Sequence, residues 1–271
     1  MSITPPHESI ENSRFCDVVV VGGALSGSAT ALMLKREMPD LNIVVVEKND
    51  AFKRRVGEAT VEVSGYFLCR VLGLTQFLTQ TQMCKNGLRF WFSAQGTESL
   101  DRCSEIGGKY LSSVPSFLVD RAQLDEEVLR RAQAAGVTLI RPALVKSVKL
   151  SDGGQQSLQI QIENAEHFTL HARWVVDASG VRCLLARANG WWSANEKHPT
   201  LAGWSRWKCA KDWDSLDLTS EYDQEKATFV GIRGTATNHI IGEGWWAWWI
   251  TLKGGDTSIG VVLDQRLSHW T

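Results

Sequence analysis

The segment that most constrains this chain is residues 17–48, DVVVVGGALSGSATALMLKREMPDLNIVVVEK. A β-branched run at 17–21 meets a glycine-rich turn at 22–27, and a helical stretch then leads to a second apolar run at 41–46 that ends at Glu47. Strand, tight turn, helix, strand and acid in this order predict a dinucleotide-binding βαβ unit. The turn would present backbone N–H groups and a helix N-terminus to a pyrophosphate. Glu47 would accept hydrogen bonds from a ribose hydroxyl.

The turn departs from the usual glycine pattern at one position. Gly22, Ala24 and Gly27 occupy the three places of the GxGxxG frame. Ala24 adds one methyl group where the backbone approaches phosphate closely. The alternative interpretation is a plain βαβ unit without a ligand. The position of the unit at the N-terminus is typical of FAD binding, and the predicted FAD contacts in this region are Gly22, Gly23, Ala24, Ser26, Gly27, Glu47 and Lys48.

Length and composition are those of an ordinary globular protein. The 271 residues are enough for one large or two small domains, with 44% hydrophobic and 22% charged residues. The net charge of −1 provides no electrostatic basis for binding nucleic acid or an anionic membrane. No apolar run approaches the roughly 20 residues that span a bilayer. We therefore expect a cytoplasmic protein, with residues 1–15 as a disordered arm.

Cysteine and histidine give no metal signature, whereas tryptophan is unusually abundant. The six cysteines form no CxxC pair and the six histidines have no ligand spacing, so we expect reduced, mostly buried thiols and no metal. Ten of the 12 tryptophans lie at or after Trp191. Such an aromatic load is typical of a core or of a pocket for a planar ligand. The last third of the chain is therefore predicted to form a different structural layer from the first.

The coarse pattern predicts an α/β protein, with a Rossmann-like FAD-binding βαβ fold and an interleaved β-rich substrate layer. We assign 16–80 and 117–190 to the FAD-binding layer, and 81–116 and 191–271 to the β-rich layer. A helix is predicted after Asp120, with Gly136 as its C-cap, and LQIQI and HFTLHA alternate as a hairpin. The other predicted strands are 137–140, 143–150, 173–177, 201–207, 228–232, 245–252 and 257–263.

Four motifs together carry a resemblance to a known family. They are the turn at 22–27, VGEATVE at 56–62, the pair LVDRAQLDEEVLRRAQAAGV and VVDASGVRCLLAR, and GWWAWWIT at 244–251. From about residue 16 to 266, the chain resembles the N-terminal part of a flavin-dependent halogenase of the tryptophan-halogenase group. That group lies within the FAD-dependent monooxygenase fold of the p-hydroxybenzoate hydroxylase type. The last motif and Lys85 are the features that resemble halogenases rather than hydroxylases.

The resemblance implies an FAD-dependent oxidoreductase. In this family reduced flavin, O₂ and halide yield hypohalous acid, which reaches a lysine and halogenates an electron-rich aromatic substrate. Lys85 occupies the place of that catalytic lysine. The implied partners are halide, a small aromatic substrate, either free or carrier-bound, and a separate flavin reductase. The further FAD contacts that the resemblance implies are Glu58, Arg121, Asp177 and Gly180, and the residues implied along the substrate path are Trp246, Trp248 and Ile250.

Each assignment has a simpler alternative. Lys85 could be a solvated turn lysine, Glu58 a helix cap, and Asp177 a turn-stabilising residue. Alternate spacing would also place Trp246 and Trp248 on one face of a strand, as core residues. A hydroxylase or reductase of the same fold stays open, because threonine replaces the family's proline after this motif.

A catalytically inactive flavin-binding protein is the third alternative. The family's third FAD motif and halide site are not found in the 271 residues. We therefore expect a chain that is C-terminally truncated relative to the family.

Overall fold

The computed structural model describes residues 15–93, 96, 99–108, 110, 112–162, 167–218 and 231–267. Its contacts divide the chain into two compact units. The first unit extends to Arg54 and resumes over Arg121–Ser193, and the second comprises Arg55–Asp120 and the residues from Ala194 onward. Each unit contains its own six-stranded sheet and its own buried apolar cluster.

The described residues form five α-helices, a π-helical turn and 14 strands, besides short 3₁₀ turns. The α-helices are α1 (Leu25–Glu37), α2 (Glu62–Tyr66), α3 (Thr75–Thr81), α4 (Arg121–Ala134) and α5 (Leu184–Ala188), and a π-helical turn covers Phe67–Val71. The strands are β1 (Phe15–Val21), β2 (Ile43–Val46), β3 (Met83–Lys85), β4 (Leu88–Phe92), β5 (Ser104–Gly107), β6 (Ser116–Leu118), β7 (Thr138–Ile140), β8 (Ala143–Lys149), β9 (Gln156–Ile162), β10 (His167–Asp177), β11 (Thr200–Lys208), β12 (Thr237–Gly242), β13 (Trp245–Thr251) and β14 (Asp256–Asp264).

The first unit is organised around β1. Its sheet has the order β7-β2-β1-β10-β9-β8, with parallel pairing from β7 to β10 and antiparallel pairing from β10 to β8. Strand β1 lies between two parallel neighbours, and its residues Val18–Val21 are all buried. A strand covered on both faces requires a continuous apolar run rather than an alternating one, which is why residues 18–21 are all valine.

The second unit contains a mostly antiparallel sheet with the order β11-β14-β13-β12-β4-β5. Only β12 and β4 pair in parallel within it. A separate two-stranded ladder joins β3 to β6. Along β13 the side chains alternate between two faces, with Trp248 and Ile250 in one buried cluster and Trp249 packed against another that contains Trp91 and Trp213.

The structure confirms the predicted strand–turn–helix–strand order at the N-terminus, although the second strand begins at Ile43 instead of Leu41. Gly136 has φ +98°, as expected of a C-cap after α4. Residues 173–177 are not a separate strand but the end of the 11-residue β10, because that strand continues from β9 pairing into β1 pairing. Of the strand expected at 228–232, residues 228–230 lie outside the described residues, and 231–232 form a turn.

The layer boundaries differ from those expected. Residues 55–80 lie in the second unit rather than with the dinucleotide-binding layer. Ala59 bridges Leu118, and Gly65 lies so close to the Pro115 backbone that a Cβ would overlap its carbonyl oxygen. These contacts hold the segment to β6. Residues 117–120 also belong to this unit, whereas 191–193 belong to the first.

The N-terminal arm expected at 1–15 lies outside the described residues except for Phe15, which begins β1. Among the described helices, none is long and apolar enough to cross a membrane.

Candidate functional site

The glycine turn of the first unit is built for close backbone approach. Gly22 has φ +103°, and a Cβ there would overlap the carbonyl oxygen of Ala178. A Cβ on Gly27 would overlap the carbonyl oxygen of Gly22, so the start of α1 lies directly against the end of β1. Ala24 is the N-cap of α1 and makes no side-chain cap hydrogen bond. The first-turn N–H groups of α1 are therefore available to an anionic ligand.

Glu47 supports this turn from the end of β2. Its side chain is buried, and Oε2 accepts a hydrogen bond of 2.8 Å from the Gly23 N–H. Oε1 accepts from both the backbone and the side chain of Asn49, at 2.9 and 2.7 Å. The carboxylate that was predicted to contact a ribose thus also fixes the shape of the phosphate turn. Of the neighbouring predicted contacts, Ser26 and Lys48 are exposed.

Asp177 lies at the same sheet edge as this turn, because β10 and β1 are parallel and Val21 pairs with Asp177. Its two carboxylate oxygens accept from the N–H groups of Ser179 and Leu185, at 3.0 and 2.8 Å. Burial acts to raise the pKa of Asp177, but hydrogen bonds from Ser179 and from the Leu185 N–H hold it below its ordinary value. This geometry is that of the turn-stabilising alternative, and the FAD contact stays a prediction.

Two other predicted FAD contacts occupy turns and helix ends of the first unit. Gly180 has φ +64° and begins a short 3₁₀ turn. Arg121 is the first residue of α4, and its guanidinium pairs with the buried Asp125 one turn later, at 3.1 Å. The structure therefore brings together the turn, Glu47 and Asp177 at one edge, and gives Arg121 a partner within its own helix.

Lys85 lies in the wall of a cavity of about 580 Å³ in the second unit. The residue is 4% exposed, and its Nζ donates a hydrogen bond of 2.7 Å to the carbonyl oxygen of Thr60. Burial lowers the pKa of Lys85 below its ordinary value, and the negative charge of Glu62 opposes this effect. The solvated-turn alternative therefore does not describe this lysine.

One face of the large sheet forms the aromatic side of the cavity. Trp246, Trp248 and Ile250 alternate along β13 and all line it, together with Trp204 of β11. Trp248 and Ile250 are also buried in a cluster with Leu118, whereas Trp246 is 38% exposed. Trp248 is therefore a core residue, as the alternative interpretation predicted, and it also forms part of the cavity wall.

Glu58 lines the same cavity but does not cap a helix, because α2 begins only at Glu62, with Val61 as its N-cap. Its Oε1 accepts two hydrogen bonds from Arg206, at 2.6 and 2.9 Å, and both side chains are almost fully buried. Arg206 also pairs with Asp120 at 2.6 Å. The second carboxylate oxygen of Glu58 is buried and has no hydrogen-bond partner among the described residues.

Two residues of β12, Thr237 and His239, line the cavity and were not singled out as site residues from the sequence. Each has a buried side-chain atom without a hydrogen-bond partner in the described part of the chain, Thr237 Oγ1 and His239 Nδ1. Burial first, and the charge of Lys85 second, lower the pKa of His239 to about 4. The only local signal was a β-branched run before the Gly-Glu-Gly turn at 242–244. The position of Thr237 and His239 beside Lys85 depends on how the strands of the sheet pair.

The fold and this cavity define a mixed α/β protein of the Rossmann-like FAD-binding type. A family model described as Tryptophan halogenase matches residues 17–113. The flavin-dependent halogenase chlA of Dictyostelium discoideum is 24% identical over 278 residues, covering 90% of this chain and 44% of that protein. The flavin-dependent halogenase armH4 of Armillaria mellea is 25% identical, covering 98% of this chain and 47% of that protein. These matches confirm the predicted resemblance: the chain is similar to the N-terminal part of flavin-dependent halogenases.

Solved structures agree on the fold. The halogenase PltM, in complex with phloroglucinol and FAD, superposes with a TM-score of 0.74 at 20% identity, covering 94% of this chain and 53% of that one. The chain spans less than half the length of the two curated relatives and about half the length of this structure. Among the described residues no group of three His, Cys, Asp or Glu side chains is arranged to hold a metal ion.

Proposed function

We propose that the protein is an FAD-dependent halogenase, which uses reduced flavin, O₂ and halide to make hypohalous acid and halogenates an electron-rich aromatic substrate. The observation that carries this proposal is the burial of Lys85 in the wall of a cavity that Trp246 and Trp248 also line. A buried amine next to tryptophan rings has the chemistry that the family resemblance requires. The similarity to chlA and armH4 supports the same conclusion.

The first unit fits FAD. Gly22 and Gly27 allow the turn to pack directly against the backbone of Ala178 and the start of α1, and the N-terminus of α1 has no side-chain cap. These features would hold the pyrophosphate, with Glu47 near the ribose and Ala24 as the closest methyl group. FAD, when bound and reduced, supplies the electrons with which O₂ and halide yield hypohalous acid. Glu58, Arg121, Asp177 and Gly180 stay proposed FAD contacts.

Lys85 then acts on the hypohalous acid. Because burial lowers its pKa, a larger fraction of the side chain is neutral amine than in an exposed lysine. A neutral amine can attack the halogen, in which case a nitrogen–halogen bond forms, the halogen–oxygen bond breaks, and the departing hydroxide takes the amine proton as water. Either protonation state can instead donate a hydrogen bond to the acid. The hydrogen bond to Thr60 fixes the position of Nζ, so the reacting nitrogen is held at one place in the cavity wall.

The partners follow from this reaction. We propose halide, a small electron-rich aromatic substrate that is either free or attached to a carrier, and a separate flavin reductase. We also propose a cytoplasmic location, which agrees with six unpaired cysteines.

The test supplies the purified protein with FAD, a flavin reductase, O₂ and bromide, with phloroglucinol or indole as acceptor, and follows brominated product by mass spectrometry. Lys85→Met should lose product at least about 100-fold, as expected for removal of a catalytic amine, with unchanged FAD affinity. Lys146→Met, which changes an exposed lysine of β8, is the matched control and should retain activity. Oxygenated product without halide dependence would instead indicate the hydroxylase alternative. FAD binding without turnover would indicate the inactive flavin-binding alternative.

A further inference from the structure

The cavity around Lys85 has a polar wall that the protein itself leaves unpaired. Glu58 Oε2, Thr237 Oγ1 and His239 Nδ1 are all buried and lack hydrogen-bond partners among the described residues, and all three residues line this cavity. An unpaired buried polar atom destabilises the fold unless a bound molecule supplies its hydrogen bond. A polar molecule that reached these three atoms from the cavity would complete their hydrogen bonds.

The imidazole of His239 is held in a fixed orientation. It stacks on Phe90, with ring centroids 5.3 Å apart and planes 20° apart, and Trp246 contacts it edge-on at 5.1 Å. The register places His239 opposite Trp248 on one side and Phe90 on the other. Two aromatic rings therefore fix the ring plane, and the direction in which Nδ1 can make a hydrogen bond is fixed with it.

Burial first, and then the charged groups around the cavity, determine which protonation form of His239 is present. Lys85 acts on His239 directly, and Glu62 acts on Lys85. Glu58 faces the same cavity, but Arg206 neutralises it through Oε1. With a pKa lowered to about 4, His239 is neutral at neutral pH, so one ring nitrogen accepts a hydrogen bond.

The hydrogen-bond donors and acceptors in the cavity wall determine which kind of small molecule can bind there. The carboxylate oxygen of Glu58 and the neutral imidazole of His239 need a hydrogen from the guest, whereas Lys85 and Thr237 can donate to it. A bare halide ion has no hydrogen to donate to either of these acceptors. A small neutral molecule with one O–H group can donate its single hydrogen to one of these two acceptors while its other atoms accept from Lys85 or Thr237, and hypohalous acid, the species that the proposed function supplies, has this form.

We infer that His239 is a positioning residue that accepts a hydrogen bond from the hydroxyl of hypohalous acid, so that the halogen faces Lys85. Thr237 is the second contact. The inference rests on the proposed function, and the step is a hydrogen bond in which no covalent bond forms or breaks.

The first experiment compares His239→Phe with His239→Asn in the complete reaction. Phenylalanine keeps a ring between Phe90 and Trp246 but removes the acceptor, whereas asparagine keeps an acceptor near the place of Nδ1. The measured quantity is the share of hypohalite that escapes to a soluble trap, monochlorodimedone, instead of entering product. Flavin oxidation and FAD affinity are followed in parallel.

We expect the escaping share to rise about tenfold in His239→Phe, the effect of losing about 1.4 kcal/mol of hydrogen bonding, and to stay near wild type in His239→Asn. A wild-type share in His239→Phe, or equal leakage from both variants, would overturn the inference. Flavin oxidation with neither product nor trapped hypohalite in the wild type would refute the proposed function, and the inference with it.

A second readout needs no cofactor. Nitrogen NMR of ¹⁵N-histidine protein should show His239 neutral through pH 6, and Lys85→Met should raise its pKa toward 6.5 because a neighbouring positive charge is removed. Lys146→Met should leave the pKa unchanged. A His239 that titrates in the wild type near 6.5 would contradict the inference, since it would be partly charged and unable to accept the hydrogen bond.

Discussion

The amine of Lys85 lies in the wall of the cavity in the second unit, and the residue is only 4% exposed. Removing an ammonium from water is unfavourable unless opposite charge or hydrogen bonds compensate. Here the described compensation is one hydrogen bond to Thr60 and the charge of Glu62. The lowered pKa is the result, and it implies that the charged form of Lys85 reduces the stability of the fold.

A prediction follows for the pH dependence of stability. The folded-state pKa of Lys85 lies below the ordinary 10.5, so between these two values the unfolded chain binds the extra proton and wild-type stability rises with pH. Lys85→Met removes this contribution. The wild-type free energy of unfolding minus that of Lys85→Met, both measured by urea titration, should therefore increase as the pH rises toward 10.5.

The unpaired Thr60 carbonyl in Lys85→Met is a pH-independent loss, so only the slope of the difference matters. Lys146→Met, at an exposed position, should follow the wild type at every pH. A constant difference between wild type and Lys85→Met would mean that the lysine is not desolvated in solution.

Carboxylates show a second effect at the residue scale. Glu47 and Asp177 were predicted as ligand contacts, and both instead have their oxygens occupied by nearby N–H groups. A carboxylate can accept more than one hydrogen bond at each oxygen. These two residues can therefore shape the turns now and still contact a cofactor hydroxyl.

At the scale of elements, β13 shows how one strand serves both a core and a cavity. Trp248 lies across β14, where Gly260 is its paired residue, and its Nε1 donates to Ser258 Oγ at 3.3 Å. A Cβ on Gly260 would overlap the indole ring. The missing side chain at Gly260 therefore allows the large ring of Trp248 to lie flat against the neighbouring strand.

Gly260→Ala should consequently destabilise the second unit by about 1–3 kcal/mol, the usual cost of overpacking a core. It should also change the tryptophan fluorescence, because the indole of Trp248 must move. Urea unfolding measures the first effect. Gly203→Ala, in the adjacent β11 and with no atom within 4 Å of its added Cβ, is the matched control and should be nearly neutral. Equal effects in both variants would contradict the packing argument.

At the scale of the whole molecule, two sheets have separate buried clusters, and the second contains an unusual charged centre. Arg89 and Arg233 both pair with Glu105, at 2.9 and 2.7 Å, and all three side chains are nearly inaccessible to solvent. Two buried guanidinium groups thus share one carboxylate between β4, β5 and the residues before β12. Removing one member of such a group leaves charge uncompensated.

Glu105→Gln should therefore cost about 3–5 kcal/mol, and hydrogen exchange should accelerate in β4, β5 and β12 while β1 and β10 stay protected. Mass spectrometry of peptic peptides measures this. Glu127→Gln, which removes partners of Arg130 and Arg131 on the surface of α4, should cost less than about 1 kcal/mol. Equal loss of protection in both sheets would show that the two units unfold together.

Much of the first unit could be predicted because its signals are local. The valine run, the glycine turn and the acid at the end of β2 lie within 32 consecutive residues, and each has a short-range physical reason. Gly136 after α4 was predicted on the same basis. Strand β12, which pairs with the following β13 and in parallel with the distant β4, was not predicted from the sequence.

The sequence by itself determined the order of the N-terminal elements and the dinucleotide turn, because hydrophobic period, turn chemistry and motif spacing are properties of neighbouring residues, whereas Lys85 became a candidate through the family resemblance. Only the tertiary structure decided that Lys85 is buried, that Arg206 holds one oxygen of Glu58, and that Thr237 and His239 leave polar atoms unpaired beside them. Burial and hydrogen-bond satisfaction depend on groups from distant strands, and no local pattern specifies which atoms will be left without a partner.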